Sequence, residues 1–351
     1  MKKIIFICLL ALLFLLGRGF YFLTYSSGLA DNKLIFEIKP GMGVSQIARG
    51  LKNQNLILTT TEFKVFVKIM GASQSLRIGE YELNRGLMPG QILNIFKSGK
   101  SIARSITFPE GFNIYEMAEL LDSKGFVKKN IFLNLCYDSK YIKELLGKQQ
   151  KSLEGYLFPD TYKFTKFEKP KKIISTMVQR FLKTYKKIRN ENRFQVDLAI
   201  LPNRHSIVTL ASIIEKETGA AEERPIISSV FHNRLNKKMR LQTDPTVIYG
   251  ILDKTGVMTK NIRKKDLREP NKYNTYTFRG LPVGPIANPG KEALLAALQP
   301  EPTDFLYFVS RNQGTHVFSK NYRDHTNAVR RFQLNRAARK GKSWRDLKKK
   351  K

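Results

Sequence analysis

Cysteine is nearly absent from this chain. There are two in 351 residues, Cys8 and Cys136, and no CxxC. That excludes a disulfide framework and the paired-thiolate zinc modules. Histidine is also scarce. His205, His232, His316 and His325 are scattered without metal-binding spacing, so no metal or other cofactor is expected. No GxSxG elbow, P-loop or Rossmann glycine pattern occurs, and serine-hydrolase and nucleotide chemistries lose support. Negative charge is in short supply: 29 Asp and Glu stand against 62 Lys and Arg, a net charge of +33. Such a surplus has to face something anionic, whether nucleic acid, lipid or a polymer. It sharpens at the end, where residues 330–351 (RRFQLNRAARKGKSWRDLKKKK) hold eleven basic residues and one Asp. Residues 331–351 read as a basic tail.

What the chain does have begins at its N-terminus. Lys2 and Lys3 precede thirteen apolar residues, Ile4 to Leu16; Arg18 interrupts, and Phe20 to Leu23 resume the run. Thirteen is the length of a signal-peptide core. Counted through Leu23 the run is twenty residues, enough to span a bilayer, with Arg18 free to snorkel. Residues 1–30 read as a cytoplasmic N-terminus and retained anchor, although Gly28-Leu29-Ala30 is a passable cleavage site. The positive-inside rule keeps Lys2 and Lys3 in the cytoplasm and puts the rest outside. An apolar start of this kind argues against a nucleic-acid partner.

Residues 33–58 and 103–128 match in type when shifted by 70 positions. Gly41 falls on Gly111, Val44 on Ile114, Ile47 on Met117, Ala48 on Ala118, Leu51 on Leu121 and Asn55 on Gly125. Each copy reads as a short strand, a glycine turn, and a helix with apolar residues at i, i+3, i+4 and i+7. Residues 31–128 are therefore expected to be an N-terminal module of small repeats, LysM-like in pattern, serving as a glycan binder or a spacer. Residues 129–330 are expected to form the larger part, with the chemistry from Arg204 onward, where turns and polar aromatic motifs become dense. In it a basic amphipathic helix follows Glu168, its apolar stripe made of Ile173, Ile174, Met177, Val178, Phe181 and Leu182.

The acidic residues concentrate in one place, ASIIEKETGAAEER at 211–224. SIVTLASIIEKETG predicts a helix with Ser206 as N-cap and Gly219 as its stop. At 100° per residue Glu217 shares a face with Ile213, Ile214, Leu210 and Ile207. Glu215 lies about 200° away, on a smaller, more polar side behind Ala211 and Ser212. The two are not a pair. A carboxyl held against apolar walls loses hydration, favours its neutral form and becomes a competent acid near neutral pH. Glu217 is the reactive candidate; the bland alternative pairs it with Arg224 or Arg234. Glu222 and Glu223 fit the start of a following helix, where the dipole favours them.

Two polar motifs follow. In MRLQTDPTVIYG (239–250), Gln242, Thr243 and Asp244 offer amide, hydroxyl and carboxylate groups side by side. Asp244 would also cap a helix with Pro245 at its first position. NKYNTYTFRGLPVGPIANPG (271–290) is a shaped loop in which Tyr273, Asn274, Tyr276 and Asn288 could line a sugar groove. A short helix after Pro289 and two strands, DFLYFVS and HVFS, complete the pattern.

Together EGYLFPDTY (154–162), LASIIEKET (210–218), VFHNRL (230–235), MRLQTDPTVIYG, YNTY (273–276), GLPVGPIANPG (280–290) and FLYFV (305–309) resemble the endolytic murein transglycosylases, the MltG or YceG-like family, in the family's order. The charge and the lysine-rich tail are not part of that resemblance. It implies an α+β protein: a membrane anchor, a small LysM-like α/β repeat module and a mixed α+β catalytic domain. It implies a single-pass protein of the inner membrane, with its catalytic domain in the periplasm. It implies endolytic cleavage of the MurNAc-β-1,4-GlcNAc bond within nascent peptidoglycan strands, leaving 1,6-anhydroMurNAc ends and terminating strand growth beside peptidoglycan synthases. The family's catalytic glutamate, the second of EKET, falls on Glu217. Gln242, Thr243, Asp244, Tyr273 and Asn274 become candidates for substrate contact, and Glu215, Asn233 and Arg234 for support. A glycan-binding scaffold without activity and a hydrolytic muramidase remain the alternatives.

Overall fold

A computed structural model describes residues 2–28, 33–191, 199–259 and 261–335. Leu29 and Ala30 of the possible cleavage site, and the tail beyond residue 335, lie outside them. The architecture is mixed α+β, with helices dominant and three two-stranded sheets among the described residues. The chain forms two compact units, residues 1–106 with 162–169, and residues 107–161 with 170–351.

The first unit opens with α1 (Lys2–Thr24), long and apolar enough to cross a membrane. Its last turns join the unit: Arg18 pairs with Glu62 at 2.7 Å, and the Phe22 ring meets that of Phe66 at 5.9 Å. There follow β1 (Lys33–Ile38), α2 (Val44–Asn53), α3 (Thr60–Ile69), β2 (Gly79–Asn84), α4 (Pro89–Ser98) and β3 (Ala103–Thr107). β1 and β2 pair antiparallel from Lys33↔Asn84 to Ile38↔Gly79. Strand alternation sends Phe36 and Ile38 inward, where they meet Ile47, Ala48 and Leu51 of α2.

The repeat is visible in the backbone. Gly41 (φ 83°) and Gly111 (φ 78°) make the same left-handed turn before the helix. Asn55 (φ 57°) and Gly125 (φ 73°) make the same left-handed exit after it. Leu56 N and Phe126 N then bond back to Leu51 O and Leu121 O, each at 2.9 Å. The helix of the second copy belongs to the second unit.

That unit contains α5 (Ile114–Ser123), α6 (Lys129–Tyr137) and α7 (Ser139–Leu146); β4 (Thr161–Thr165), which pairs with β3, lies in the first unit from Tyr162 on, and the second unit resumes with α8 (Pro170–Glu191) and α9 (Arg204–Glu217). After a 3-10 turn (Ala221–Glu223) come α10 (Arg224–Asn236), α11 (Asp244–Thr255), α12 (Lys264–Arg268), α13 (Lys291–Leu298), β5 (Tyr307–Ser310), β6 (His316–Ser319) and α14 (Tyr322–Val329), closed by a π turn (Arg330–Leu334).

α9 is the central helix, packed against α13, α10 and α11. It is buried on nearly every side: Ile207, Val208, Leu210, Ala211, Ile213 and Ile214, but also Thr209 and Ser212. Each fully buried Ile or Leu stabilises the fold by about 1.5–3 kcal/mol. The two polar residues are affordable because they are bonded. Thr209 Oγ1 donates to His205 O at 2.8 Å, and Ser212 Oγ donates to Thr209 O at 2.7 Å while accepting from Ile286 N at 3.0 Å. Asn203, not Ser206, caps the helix: its side chain accepts from Ser206 N, and Ser206 Oγ returns the favour to Asn203 N. Thr218, not Gly219, is the C-cap.

Candidate active site

The last turn of α9 is held from two sides before its final residue. Glu215 Oε2 accepts from Gly290 N at 3.1 Å, and its other oxygen faces Arg224 at 3.5 Å. Lys216 Nζ donates to Gly111 O at 3.2 Å. Glu215 thus lies on a polar side of the helix, as the helix phase suggested, but an enclosed one; its side chain is only 7% exposed. Burial raises its pKa, while Gly290 N–H and Arg224 pull the other way.

Glu217, fixed by these neighbours, projects into a cleft of about 490 Å³. One wall comes from α10 and the loop after it (Phe231, Arg234, Leu241, Gln242, Thr243, Asp244), with Tyr276 beside it. The other comes from the β5–β6 hairpin and α14 (Tyr307 to Ser310, His316, Tyr322, His325). The hairpin approaches α9 closely. A Cβ on Gly219 would sit 2.5 Å from the carbonyl oxygen of Gly314, so glycine is needed there.

Burial acts on Glu217 as well. Burial lifts its pKa to about 7, against a hydrogen bond from Thr243 that favours the charged form; Asp244 raises it further and Arg234 lowers it. Thr243 Oγ1 donates to Oε1. Oε2 has no hydrogen-bond partner among the described residues. Arg234 does not pair with the carboxylate. Its Nε donates to Leu306 O and its Nη1 to Leu241 O, both at 2.7 Å, so it ties the two walls together and offers Glu217 a positive field.

The loop residues sort into two groups. Gln242 and Thr243 line the cleft, and Gln242 sits in the left-handed region (φ 50°). For a side chain with a Cβ that conformation costs about 1–2 kcal/mol. Asp244 also lines it, but it is the first residue of α11 rather than its cap, and its carboxylate accepts from Tyr276 OH at 2.6 Å. The N-cap is Thr243, whose hydroxyl goes to Glu217 instead of the helix.

Tyr273 and Asn274 are a correction: neither lines the cleft. Asn274 is 1% exposed, and its Nδ2 donates to Asp266 O (3.0 Å), Leu267 O (3.3 Å) and Glu269 O (2.8 Å), satisfying the carbonyl end of α12. Tyr273 is 3% exposed, edge-on to Tyr249 at 4.9 Å. Asn288 is likewise buried. Asn233 lies behind the wall, its Nδ2 donating to Thr303 O (2.7 Å) and Phe305 O (2.9 Å). Conversely, His316, Tyr322 and His325 line the cleft without having been singled out. The available signal was the density of aromatic and histidine residues between 305 and 325.

A profile of the YceG-like family matches residues 36–331. The chain belongs to the YceG-like family. Among its relatives is a Bacillus subtilis protein named endolytic murein transglycosylase, 36% identical over 314 residues, covering 84% of this chain and 83% of that one. A Streptococcus pneumoniae protein of the same name is 26% identical over 327 residues; the match spans 83% of this chain but 57% of that longer protein. The crystal structure of a YceG-like protein from Listeria monocytogenes superimposes with a TM-score of 0.56 at 33% identity, covering 84% of this chain and 98% of that one. The cleft and its glutamate lie wholly within the matched YceG-like region.

Proposed function

We propose that this protein is a lytic transglycosylase acting endolytically on peptidoglycan, cleaving MurNAc-β-1,4-GlcNAc bonds to leave 1,6-anhydroMurNAc ends. The observation that carries the reading is Glu217: a carboxyl with a pKa near 7, one oxygen held by Thr243, the other unpartnered in a cleft. Neutral Glu217 protonates the glycosidic oxygen as the C1–O bond breaks. The carboxylate formed, steadied by Thr243 and the field of Arg234, takes the proton of the muramic acid C6 hydroxyl as that oxygen attacks C1. One group thus serves as acid and then base, and the nucleophile is already tethered. Gln242, Asp244 and Tyr276 supply polar contacts to the glycan.

A hydrolytic muramidase is the second reading, and one feature favours it. Asp244 is close enough to perturb Glu217, and two carboxylates in one cleft are what water-activating glycosidases use. Full-length protein in detergent, incubated with purified peptidoglycan, decides by product mass. Ends lighter by one water per cleavage, absent with Glu217→Gln, support transglycosylation; reducing ends of full mass support hydrolysis; no cleavage refutes both.

On the same reading α1 anchors the protein in the cytoplasmic membrane, with the cleft on the outer side. The repeated strand–turn–helix pattern is a LysM-like module serving the cleft, and strand termination beside peptidoglycan synthases is the biological role. Protease added to intact spheroplasts should remove the catalytic unit; its protection would reverse the orientation.

A further inference from the structure

The cleft contains a second polar device, apart from Glu217. Glu223, in the 3-10 turn after α9, grips His316 of β6 twice: Oε1 accepts from the His316 backbone N at 2.9 Å and Oε2 faces Nδ1 at 2.7 Å. Both side chains are largely buried, 13% and 11% exposed. The Phe308 ring stands at 87° to the imidazole, 5.3 Å away, and locks its plane. A carboxylate only accepts, so Nδ1 carries a proton. In the neutral ring that leaves Nε2, at the opposite edge, as an acceptor. Among the described residues Nε2 has no hydrogen-bond partner, and it is not sealed from solvent. His316 lines the cleft with Glu217, whereas Glu223 does not.

We propose that His316 is a substrate-contact residue whose Nε2 accepts a hydrogen bond from an N–H or O–H of the glycan, and that Glu223 is the positioning residue that sets its tautomer. The inference rests on the glycan reading above and deepens it. It assigns the cleft a fixed acceptor matched to sugar hydroxyls and N-acetyl amides, the donors of an amino-sugar polymer. Orientation of an imidazole by a carboxylate on its far nitrogen is a general way of fixing which edge accepts.

Substitution of Glu223 by Gln separates positioning from packing. A carboxamide has one acceptor oxygen. If the His316 backbone N–H keeps it, the amide N–H₂ faces Nδ1 and drives the ring proton to Nε2, turning the acceptor into a donor. With four histidines in the chain, ¹⁵N-histidine spectra of the full-length protein can read this, with His316→Gln giving the assignment. The expected result is a protonated Nδ1 and bare Nε2 in the parent, reversed in Glu223→Gln.

Affinity is read beside it, for a defined peptidoglycan oligosaccharide on the inactive Glu217→Gln protein. Adding His316→Phe, which keeps the ring against Phe308, should weaken binding about tenfold, the loss of one hydrogen bond with a glycan donor left unpaired. Glu223→Gln should weaken it comparably. Unchanged affinity in both variants, or a proton on Nε2 in the parent, overturns the assignment alone. Failure of the parent to bind the oligosaccharide at all overturns the glycan reading and this inference together.

Discussion

Burial raises the pKa of three carboxyls in the second unit, Glu154, Glu215 and Glu217; Glu154 and Glu217 are lifted furthest, and of these two only one sits where chemistry can happen. Glu154, in the EGYLFPDTY segment, is 1% exposed with a pKa of about 8. Its Oε2 accepts from Ile114 N (3.1 Å) and Tyr249 OH (2.8 Å), and its Oε1 from Asn288 Nδ2 (3.0 Å). It joins α5, α11 and the loop before α13, with nothing left to offer a ligand. Glu217 has a similar shift, but a single side-chain hydrogen bond and an open cleft in front of it. A raised pKa is thus shared by a structural hub and a proposed catalyst. Access and an unused oxygen distinguish them.

The sharpest way to break this comparison is to neutralise each carboxyl in turn. Glu217→Gln should lower turnover by about 10²–10⁴-fold, the usual worth of a positioned general acid, measured as glycan release. It should also stabilise the fold. The folded pKa near 7 lies above the ordinary 4.5, so folding takes up a proton between those values, and stability falls as pH rises through 7. Removing the charge returns at most about 3 kcal/mol above that pH, seen as a higher denaturation midpoint at pH 8 than in the parent.

Glu154→Gln should do the reverse. A carboxamide has one acceptor for three donors, and Asn288 cannot flip to help. Its Oδ1 already accepts from Leu157 N (2.9 Å) and its Nδ2 donates to Phe112 O (3.0 Å). The expected loss is about 1–3 kcal/mol of stability, by denaturant titration, with the pH dependence of residual activity unchanged. A displaced pH profile there would mean that Glu154 belongs to the chemistry.

The smallest effect is expected at Thr243. Its hydrogen bond favours charged Glu217, so Thr243→Val should raise the pKa of Glu217 and move the alkaline fall in kcat/KM upward, by roughly one pH unit or less. A downward shift would mean that the hydroxyl holds the neutral form.

Much of this arrangement was legible in the sequence because it rests on local periodicity. Helix phase alone placed Glu217 at the end of an apolar stripe, and the 70-residue repeat foretold matched glycine turns at Gly41 and Gly111, which the backbone makes left-handed. What was not legible depends on which way a polar loop faces. Tyr273 and Asn274 read as sugar contacts by composition, yet the Asn274 amide is consumed by two carbonyls of α12 and that of its C-cap, Glu269. Ser206 read as an N-cap because serine suits that position, but Asn203, three residues earlier, takes it. Glu154 drew no notice because its donors come from residues 40, 95 and 134 positions away. The pairing of Glu223 with His316 spans 93 positions and leaves no periodic trace.

The central claim is that the glutamate doing the chemistry is the one whose pKa has been lifted into the neutral range while its second oxygen stays free. The direct test is to titrate Glu217 itself, following side-chain carboxyl ¹³C shifts in the full-length protein, with the Glu217→Gln spectrum giving the assignment, and to compare the result with the pH dependence of kcat/KM. A Glu217 titration near pH 7 that coincides with the alkaline limb of the rate profile is the predicted result. A carboxyl that titrates near 4.5, or an alkaline limb unrelated to its midpoint, would contradict the account.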